Sequence, residues 1–377
     1  MSKRQKGEGS IFYREDRKRW IAQMKLEGGK YKTRSAKTQR EASEKLKKMQ
    51  RELEQGTLAT GPQQTVKQYL EYWLEEVRKP RIRLVTYIGY RDALDNHLIP
   101  ALGHIQLRKL TPEHIQSLYA RKLEDGFLPS TIKYMHEVLH TALVYAVRRK
   151  RIVQNPCNDV ELPRVTTHEI SPLTSEQAHK LLEAAKGHRL EGLLVVALAT
   201  GMRRGELLAL RWQDIDFEKR TLQVRRTVTR LPGRGYVESE PKTPKSRRTL
   251  ILPQFVLKAL KQHHMRQIEA HLQAGTNWRD SDLVFCNIFG RYLDPGSLHD
   301  QFAALLKKAG LPHMRFHDLR HSAATMLLGM GIPMKVVQEL LGHSSFTITA
   351  DIYSHVLPSM LEGAMDKWDH FFEDRGV

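Results

Sequence analysis

Apolar and polar positions change rhythm twice along the chain, and the changes divide it into three. In the front segment SIFYR (Ser10–Arg14), WIAQMKL (Trp20–Leu26) and YKTRS (Tyr31–Ser35) are short runs of strand-forming residues, separated by EDRK and by EGGK, whose glycines suit a tight turn. They predict a small three-stranded sheet. TQREASEKLKKMQREL comes next without Pro or Gly, so it predicts one helix packed across the sheet through Ala42, Leu46, Met49 and Leu53. Residues 57–65 lose all periodicity and read as a linker. Helical spacing then takes over: Val66, Tyr69, Leu70, Trp73, Leu74 and Val77 form one stripe that Pro80 closes. Thr111 and Pro112 open a further helix carrying Ile115, Leu118 and Tyr119. Ser130 is expected to cap a longer one whose stripe runs Ile132, Met135, Leu139, Ala142, Leu143 and Ala146 before the basic run VRRKR.

A second linker, 162–173, carries two prolines, and Thr174 with Gln177 then matches a capping box. The rest of the chain is mixed: helices, a cluster of strands near 221–252, in which TLQVRRTVT and RRTLILP are strands with PKTPKS in the turn before the last, and helices to the end. The expected fold is mainly α with small β-sheets, in three domains: a sheet plus helix (1–56), a helical bundle (66–161) and a mixed, mostly helical domain (174–377).

Charge adds a partner to this plan. The 377 residues hold 61 Lys and Arg against 42 Asp and Glu, a formal charge of +19, which suits a polyanion such as nucleic acid. The surplus is steepest at the front, where residues 1–56 contain 17 basic and 8 acidic side chains. A sheet face or ribbon studded with Arg and Lys can enter a DNA major groove, which makes Arg14, Arg17, Lys18, Arg19, Lys30, Lys32 and Arg34 candidate DNA contacts. Arg148, Arg149 and Lys150 join them at the end of the longest stripe. Cys157 and Cys286 stand far apart without ligand spacing, so neither a zinc site nor a disulfide framework is expected, and a reducing, cytoplasmic setting fits. No stretch is apolar for long enough to span a membrane, and the basic start lacks the apolar core of a secretory signal.

Three polar clusters interrupt the hydrophobic pattern of the last domain. In LLVVALATGMRRGELLALRWQDIDF an apolar helix runs into a turn with two arginines and then a second amphipathic helix. An arginine between two hydrophobic segments needs an anion, whether a ligand or an ion pair with Glu206 or Asp214. In RFHDLRHSAATMLLGMG, His317, Arg320 and His321 share one helix face, with Ala324, Leu327 and Leu328 anchoring it below. In VVQELLGHSSFTITADIYSHV, Gly342 ends a helix, His343 comes next, and a short helix from about Ile348 carries Tyr353.

In order and spacing, TGMRRGEL, HDLRHSAAT, LGHSS and DIYSH resemble the phage and transposon integrases of the tyrosine recombinase family across 174–360. The front sheet and the helical bundle look like the arm-type and core-type DNA-binding domains of its longer members. The resemblance implies a site-specific recombinase that breaks and rejoins DNA through a 3′-phosphotyrosyl intermediate, with no metal, ATP or other cofactor. Arg203 and Arg320 would clamp the scissile phosphate, Glu206 would orient Arg203, His317 and His343 would hydrogen-bond the phosphate and move protons, and Tyr353 would be the nucleophile. The family places a lysine on a β-hairpin as the acid for the leaving oxygen. Lys242 matches best, with Lys245 close enough to be its rival, and Arg204 reads as a DNA-backbone or structural contact.

The chemistry is coherent on its own terms. In-line attack gathers negative charge on the equatorial phosphate oxygens, and two permanently charged guanidiniums stabilise it where a nuclease would use metal. A phenol, with a pKa of about 10, needs a base, for which His317 is the best candidate. The implied partners are double-stranded DNA attachment sites and three further copies of the chain in a homotetramer on DNA, with accessory DNA-bending or excision factors left open. The final stretch LEGAMDKWDHFFEDRGV presents an apolar helix face (Leu361, Ala364, Met365, Trp368, Phe371, Phe372) that docks either on a neighbouring copy or on its own domain. Three other readings share parts of this pattern: a catalytically silent DNA-binding regulator, a type IB topoisomerase and a metal-dependent nuclease.

Overall fold

The structure, a computed structural model, describes residues 9–25, 31–54, 64–165, 171–241 and 247–342. The chain divides into two compact units, Met1–Thr167 and His168–Val377.

The first unit holds two separate hydrophobic cores. Strands β1 (Ser10–Arg14), β2 (Arg19–Lys25) and β3 (Tyr31–Ala36) form an antiparallel sheet in the order β1-β2-β3. Alternation sends Ala22, Met24 and Ala36 to one face, where α1 (Gln39–Glu54) lies across them through Ala42, Leu46 and Met49. The expected Leu53 contact falls outside the described side chains. The second core belongs to a helical bundle. Helix α2 (Val66–Tyr72) starts in a capping box formed by Thr65 and Gln68, continues through π-helical turns to Arg78 and stops at Lys79–Arg81, where Pro80 lacks the N–H to continue. Helices α3 (Leu84–Ala93) and α4 (Ile99–Leu102) come next, neither of which the hydrophobic pattern resolves. Helix α5 (Pro112–Glu124) buries Ile115, Leu118 and Tyr119 as expected. Helix α6 (Pro129–Arg148) begins earlier than expected: Leu128, not Ser130, is the N-cap residue, because Pro129 is preorganised for the first helical position. Its buried stripe is the expected one, with Val138 added.

The second unit opens with α7 (Ser175–Ala184), capped by the reciprocal Thr174 and Gln177 bonds. Helix α8 (Glu191–Thr200) is apolar on all sides and buried on nearly all of them, which makes it the centre of the core. Strands β4 (Ile215–Asp216), β5 (Thr221–Val224) and β8 (Arg248–Ile251) form one antiparallel sheet, in that order. Strands β6 (Thr227–Leu231) and β7 (Gly235–Ser239) form a separate hairpin. TLQVRRTVT is therefore not one strand: the chain leaves one sheet at Val224 and enters the other at Thr227. Helices α10 (Gln254–Ala274) and α11 (Pro295–Lys308) complete the main core. Helices α12 (Asp318–Gly329) and α13 (Met334–Leu341) pack on each other through Ala324, Leu328, Val337 and Leu341, with Leu327 partly buried beside them. No helix among the described residues is long and apolar enough to cross a membrane.

Candidate catalytic site

The site grows out of the C-terminal end of α8. Gly201 ends that helix in the left-handed region, φ 59°, and a Cβ there would stand 2.3 Å from Leu341 Cδ2. Glycine is thus required on two counts, conformation and space. The Thr200 hydroxyl donates back to the Val196 carbonyl at 2.6 Å, tightening the last turn. Arg203 then caps α9 (Arg204–Leu208), a helix of five residues. The Arg203 backbone N–H and its Nη1 both donate to the Glu206 carboxylate, at 3.1 and 2.9 Å.

Glu206 is 3% exposed, so its charge requires compensation. Arg248, on β8, supplies a second guanidinium through Nη2 at 3.1 Å. Burial pushes the Glu206 carboxyl up, but Arg248 and then Arg203 outweigh it and hold it below the usual carboxylate value. It is ionised at neutral pH. Asp214, the other anion considered for the turn arginines, pairs instead with Arg226 at 2.8 Å.

The preceding residues place the second cluster. Asp318 accepts from the Arg315 backbone N–H, Nε and Nη2 at 3.0 to 3.2 Å, which fixes the entry to α12 and sets His317 as its N-cap residue. Ser322 ties that helix to the start of the unit, donating to the Asp318 carbonyl and accepting from the Leu173 N–H. One turn in, Arg320 is 3% exposed and donates through Nη1 to the Gly201 carbonyl at 2.6 Å and through Nη2 to the Leu341 carbonyl at 2.7 Å.

These bonds meet at one place. A helix leaves its last carbonyls without intrahelical partners and gathers partial negative charge there, so basic groups collect at its end. At α13 three successive carbonyls are each taken by a different arginine: Leu340 by Arg248 Nε at 2.7 Å, Leu341 by Arg320 at 2.7 Å, and Gly342 by Arg203 Nη2 at 3.2 Å. The structure therefore brings Arg203, Glu206 and Arg320 together, as the sequence suggested, and adds Arg248, which it did not. A signal was present: in β8, Arg248 lies on the inward face with Leu250, opposite Val224, and an inward arginine on a strand implies a buried anion.

His317 borders a cleft also lined by Arg203, Arg204, Thr227, Arg230 and Arg315. Its imidazole is held down, to about 4, by partial burial first and then by Arg320 and His321, whose ring meets it edge-on at 5.8 Å. At pH 7 it is neutral, with a lone pair available to accept a proton. Between pH 6.5 and 4 the unfolded chain takes a proton that the folded His317 refuses, so stability falls as pH drops through that window. Several other histidines are also held down, so the test is a difference. Urea unfolding of wild type and His317→Asn between pH 7 and 4.5 should show a smaller acid loss in the variant, and equal losses would count against a depressed His317. Lys242, Lys245, His343, Tyr353 and the closing stretch 361–377 lie outside the described residues.

The other basic candidates divide by environment. Arg14 and Arg19 stand opposite one another on the sheet face away from α1, and Arg17 and Lys18 are exposed in the turn between β1 and β2. Lys32 and Arg34, by register with Met24 and Ala22, share the helix-covered face. Lys30 is outside the described residues. Arg148, Arg149 and Lys150 are exposed, whereas the next residue, Arg151, folds back over the Tyr72 ring at 4.5 Å and donates to Gln64. Cys157 and Cys286 are both free thiols. Among the described residues no group of three His, Cys, Asp or Glu side chains could hold a metal ion.

Residues 171–360 match the phage integrase family, and residues 65–123 match the phage integrase N-terminal SAM-like domain. The chain is 33% identical over 355 residues to a XerC-like tyrosine recombinase of Caldanaerobacter subterraneus subsp. tengcongensis, covering 89% of this chain and 90% of that protein. It is 32% identical to an integrase of Streptomyces ambofaciens, covering 96% of each. In fold it is similar to the Tn1549 transposon integrase solved with transposon right-end DNA, at a TM-score of 0.69, 23% identity, and coverage of 80% of this chain and 99% of that one. It is also similar to a lambda integrase tetramer bound to a Holliday junction, at a TM-score of 0.57, 18% identity, and coverage of 93% and 96%. The TGMRRGEL and HDLRHSAAT clusters, folded onto one helix terminus, thus lie within a match that spans most of the chain, which belongs to the phage integrase family of tyrosine recombinases, enzymes of site-specific DNA recombination.

Proposed function

We propose that this chain is the integrase of a mobile element, integrating and excising it at DNA attachment sites in the cytoplasm. The observation that carries the reading is the convergence of Arg203, Glu206 and Arg320 on the end of α13, from which the chain runs directly into His343 and, ten residues later, Tyr353. In the proposed reaction the Tyr353 hydroxyl oxygen attacks the scissile phosphorus. The bond to the 5′ oxygen breaks, a 3′-phosphotyrosyl bond forms, and its energy is kept for the reverse attack by a 5′ hydroxyl from another duplex. Arg203 and Arg320 bear the charge that builds on the two non-bridging oxygens, held in position by Glu206 and by the carbonyls of α13. His317, neutral before DNA arrives, takes the phenolic proton, and Lys242, or Lys245 beside it, gives one to the departing 5′ oxygen.

The separate cores of the sheet and the bundle support reading residues 1–56 and 66–161 as two DNA-binding domains ahead of a catalytic domain, 174–377. Exchange needs two duplexes and four cleavages, hence a homotetramer on DNA. Arg14, Arg17, Lys18 and Arg19 suit DNA contact, as do Arg148, Arg149 and Lys150. The placement of Lys32 and Arg34 beside α1 makes them weaker candidates.

The test is a plasmid carrying two attachment sites, incubated with the protein in EDTA and without nucleotide. Recombinant products are expected. Relaxed topoisomers alone would favour a topoisomerase, and DNA binding without any strand cleavage would favour a regulator.

A further inference from the structure

Arg248 is the buried arginine that neither the sequence motifs nor the proposed reaction uses. Its side chain is 7% exposed, on the inward face of β8. It joins two parts of the site: Nη2 meets the Glu206 carboxylate, and Nε meets the Leu340 carbonyl. Gly342 packs against the same guanidinium, and a Cβ at that glycine would stand 3.0 Å from Nη1 and 3.3 Å from Cζ, while its φ of 69° already favours glycine. The fit is close on three sides. Such a fit does more than neutralise Glu206, because the same guanidinium also takes the Leu340 carbonyl.

We propose that Arg248 is a positioning residue for strand cleavage: by binding Glu206 and the end of α13 together, it fixes the plane of the Arg203 guanidinium and the point from which the chain departs toward the nucleophile. This rests on the reading of the chain as a recombinase. The physical basis is the geometry of guanidinium, a rigid fork that can serve a carboxylate with one edge and a carbonyl with another, which an ammonium cannot do at a fixed spacing. Displacement of a clamp group by about 1 Å is enough to cost on the order of 100-fold in rate.

There is an electrostatic consequence. Among the described residues, Arg248 from β8 and Arg203 from its own turn are the charged groups that hold Glu206 down, and burial opposes both. Without Arg248 the carboxyl titrates at higher pH, and cleavage becomes dependent on its ionisation.

The experiment is single-turnover cleavage of a suicide duplex between pH 5.5 and 8.5, with DNA binding and thermal unfolding measured in parallel, for wild type, Arg248→Lys, Arg248→Gln, Glu206→Gln and Arg248→Gln with Glu206→Gln. The expected result is that Arg248→Lys binds DNA as wild type does, keeps most of its thermal stability, and cleaves about 100-fold more slowly. Arg248→Gln adds a fall in rate toward acid pH that the double variant lacks. Arg248→Lys probes the geometry even if Arg248→Gln does not fold. Wild-type cleavage rates in Arg248→Lys would overturn the proposal, as would an unchanged pH profile in a folded Arg248→Gln. If the wild type itself does not cleave DNA that it binds, the recombinase reading has failed instead.

Discussion

Replacing Arg320 with alanine should lower the rate of strand cleavage by about 10³ while leaving DNA affinity nearly unchanged. The arginine is buried and its guanidinium is aimed by two carbonyls, Gly201 and Leu341, so its orientation is set before DNA arrives. Preorganised charge of this kind acts on the transition state, where the phosphate oxygens carry most charge, and contributes less to ground-state binding. The same substitution strips both carbonyls of a partner, at a cost of about 1–3 kcal/mol each. A lower thermal midpoint should therefore accompany the lost activity. Arg320→Lys separates the two effects, because one ammonium retains the charge but cannot bridge both carbonyls and the phosphate. Single-turnover cleavage at saturating DNA, with calorimetric unfolding alongside, measures both. Near wild-type cleavage in a folded Arg320→Ala would remove Arg320 from the clamp.

Much of this architecture was legible because local and global requirements agree. The front sheet was readable from strand-forming runs between turn residues, and α1 from an unbroken run of helix formers. Thr174 with Gln177 announced α7 through the reciprocal bonds that the structure contains. Legibility failed where the pattern carried less. Leu84, Val85 and Tyr87 in α3 are exposed or only half buried, so its stripe is faint. Helix α4 is a single turn, too short to show a period. The run TLQVRRTVT reads as continuous because strand propensity does not register a change of sheet, and the register that separates β5 from β6 is set by partners far away in sequence.

The site was legible to the extent that its chemistry sits in short blocks. Arg203 and Glu206 lie three residues apart, and a buried carboxylate on the first turn of a helix pairs naturally with the residue that caps it. His317 and Arg320 likewise fall on one turn. What the sequence concealed is what holds these blocks together. No local pattern indicates that Leu340, Leu341 and Gly342 present their carbonyls to arginines from three different elements, because backbone acceptors carry no residue signature. Arg248 was hard to place for a related reason: its inward position on β8 signals a buried anion, but its partners, Glu206 and the end of α13, are 42 and 92 residues away.

The largest single loss should come from Tyr353→Phe. If Tyr353 is the nucleophile, removal of one oxygen eliminates the atom that would bond to phosphorus, whereas Arg203, Arg320 and the proposed DNA contacts remain. Cleavage should then fall by roughly 10⁴ or more, in line with the loss of other enzymatic nucleophiles. Binding should persist, because phosphate contacts supply most of the affinity of such proteins for DNA and those proposed for this chain lie elsewhere. Phenylalanine also preserves the ring, so a packing defect cannot imitate the result.

The most direct measurement is to trap the covalent intermediate. A labelled suicide duplex taken from the element's own ends, incubated with the protein in EDTA and run on a denaturing gel, should give a protein–DNA adduct with wild type and none with Tyr353→Phe. An adduct that survives in Tyr353→Phe would place the nucleophile elsewhere. Absence of any adduct on DNA that the wild-type protein demonstrably binds would contradict the account of this chain as an active recombinase.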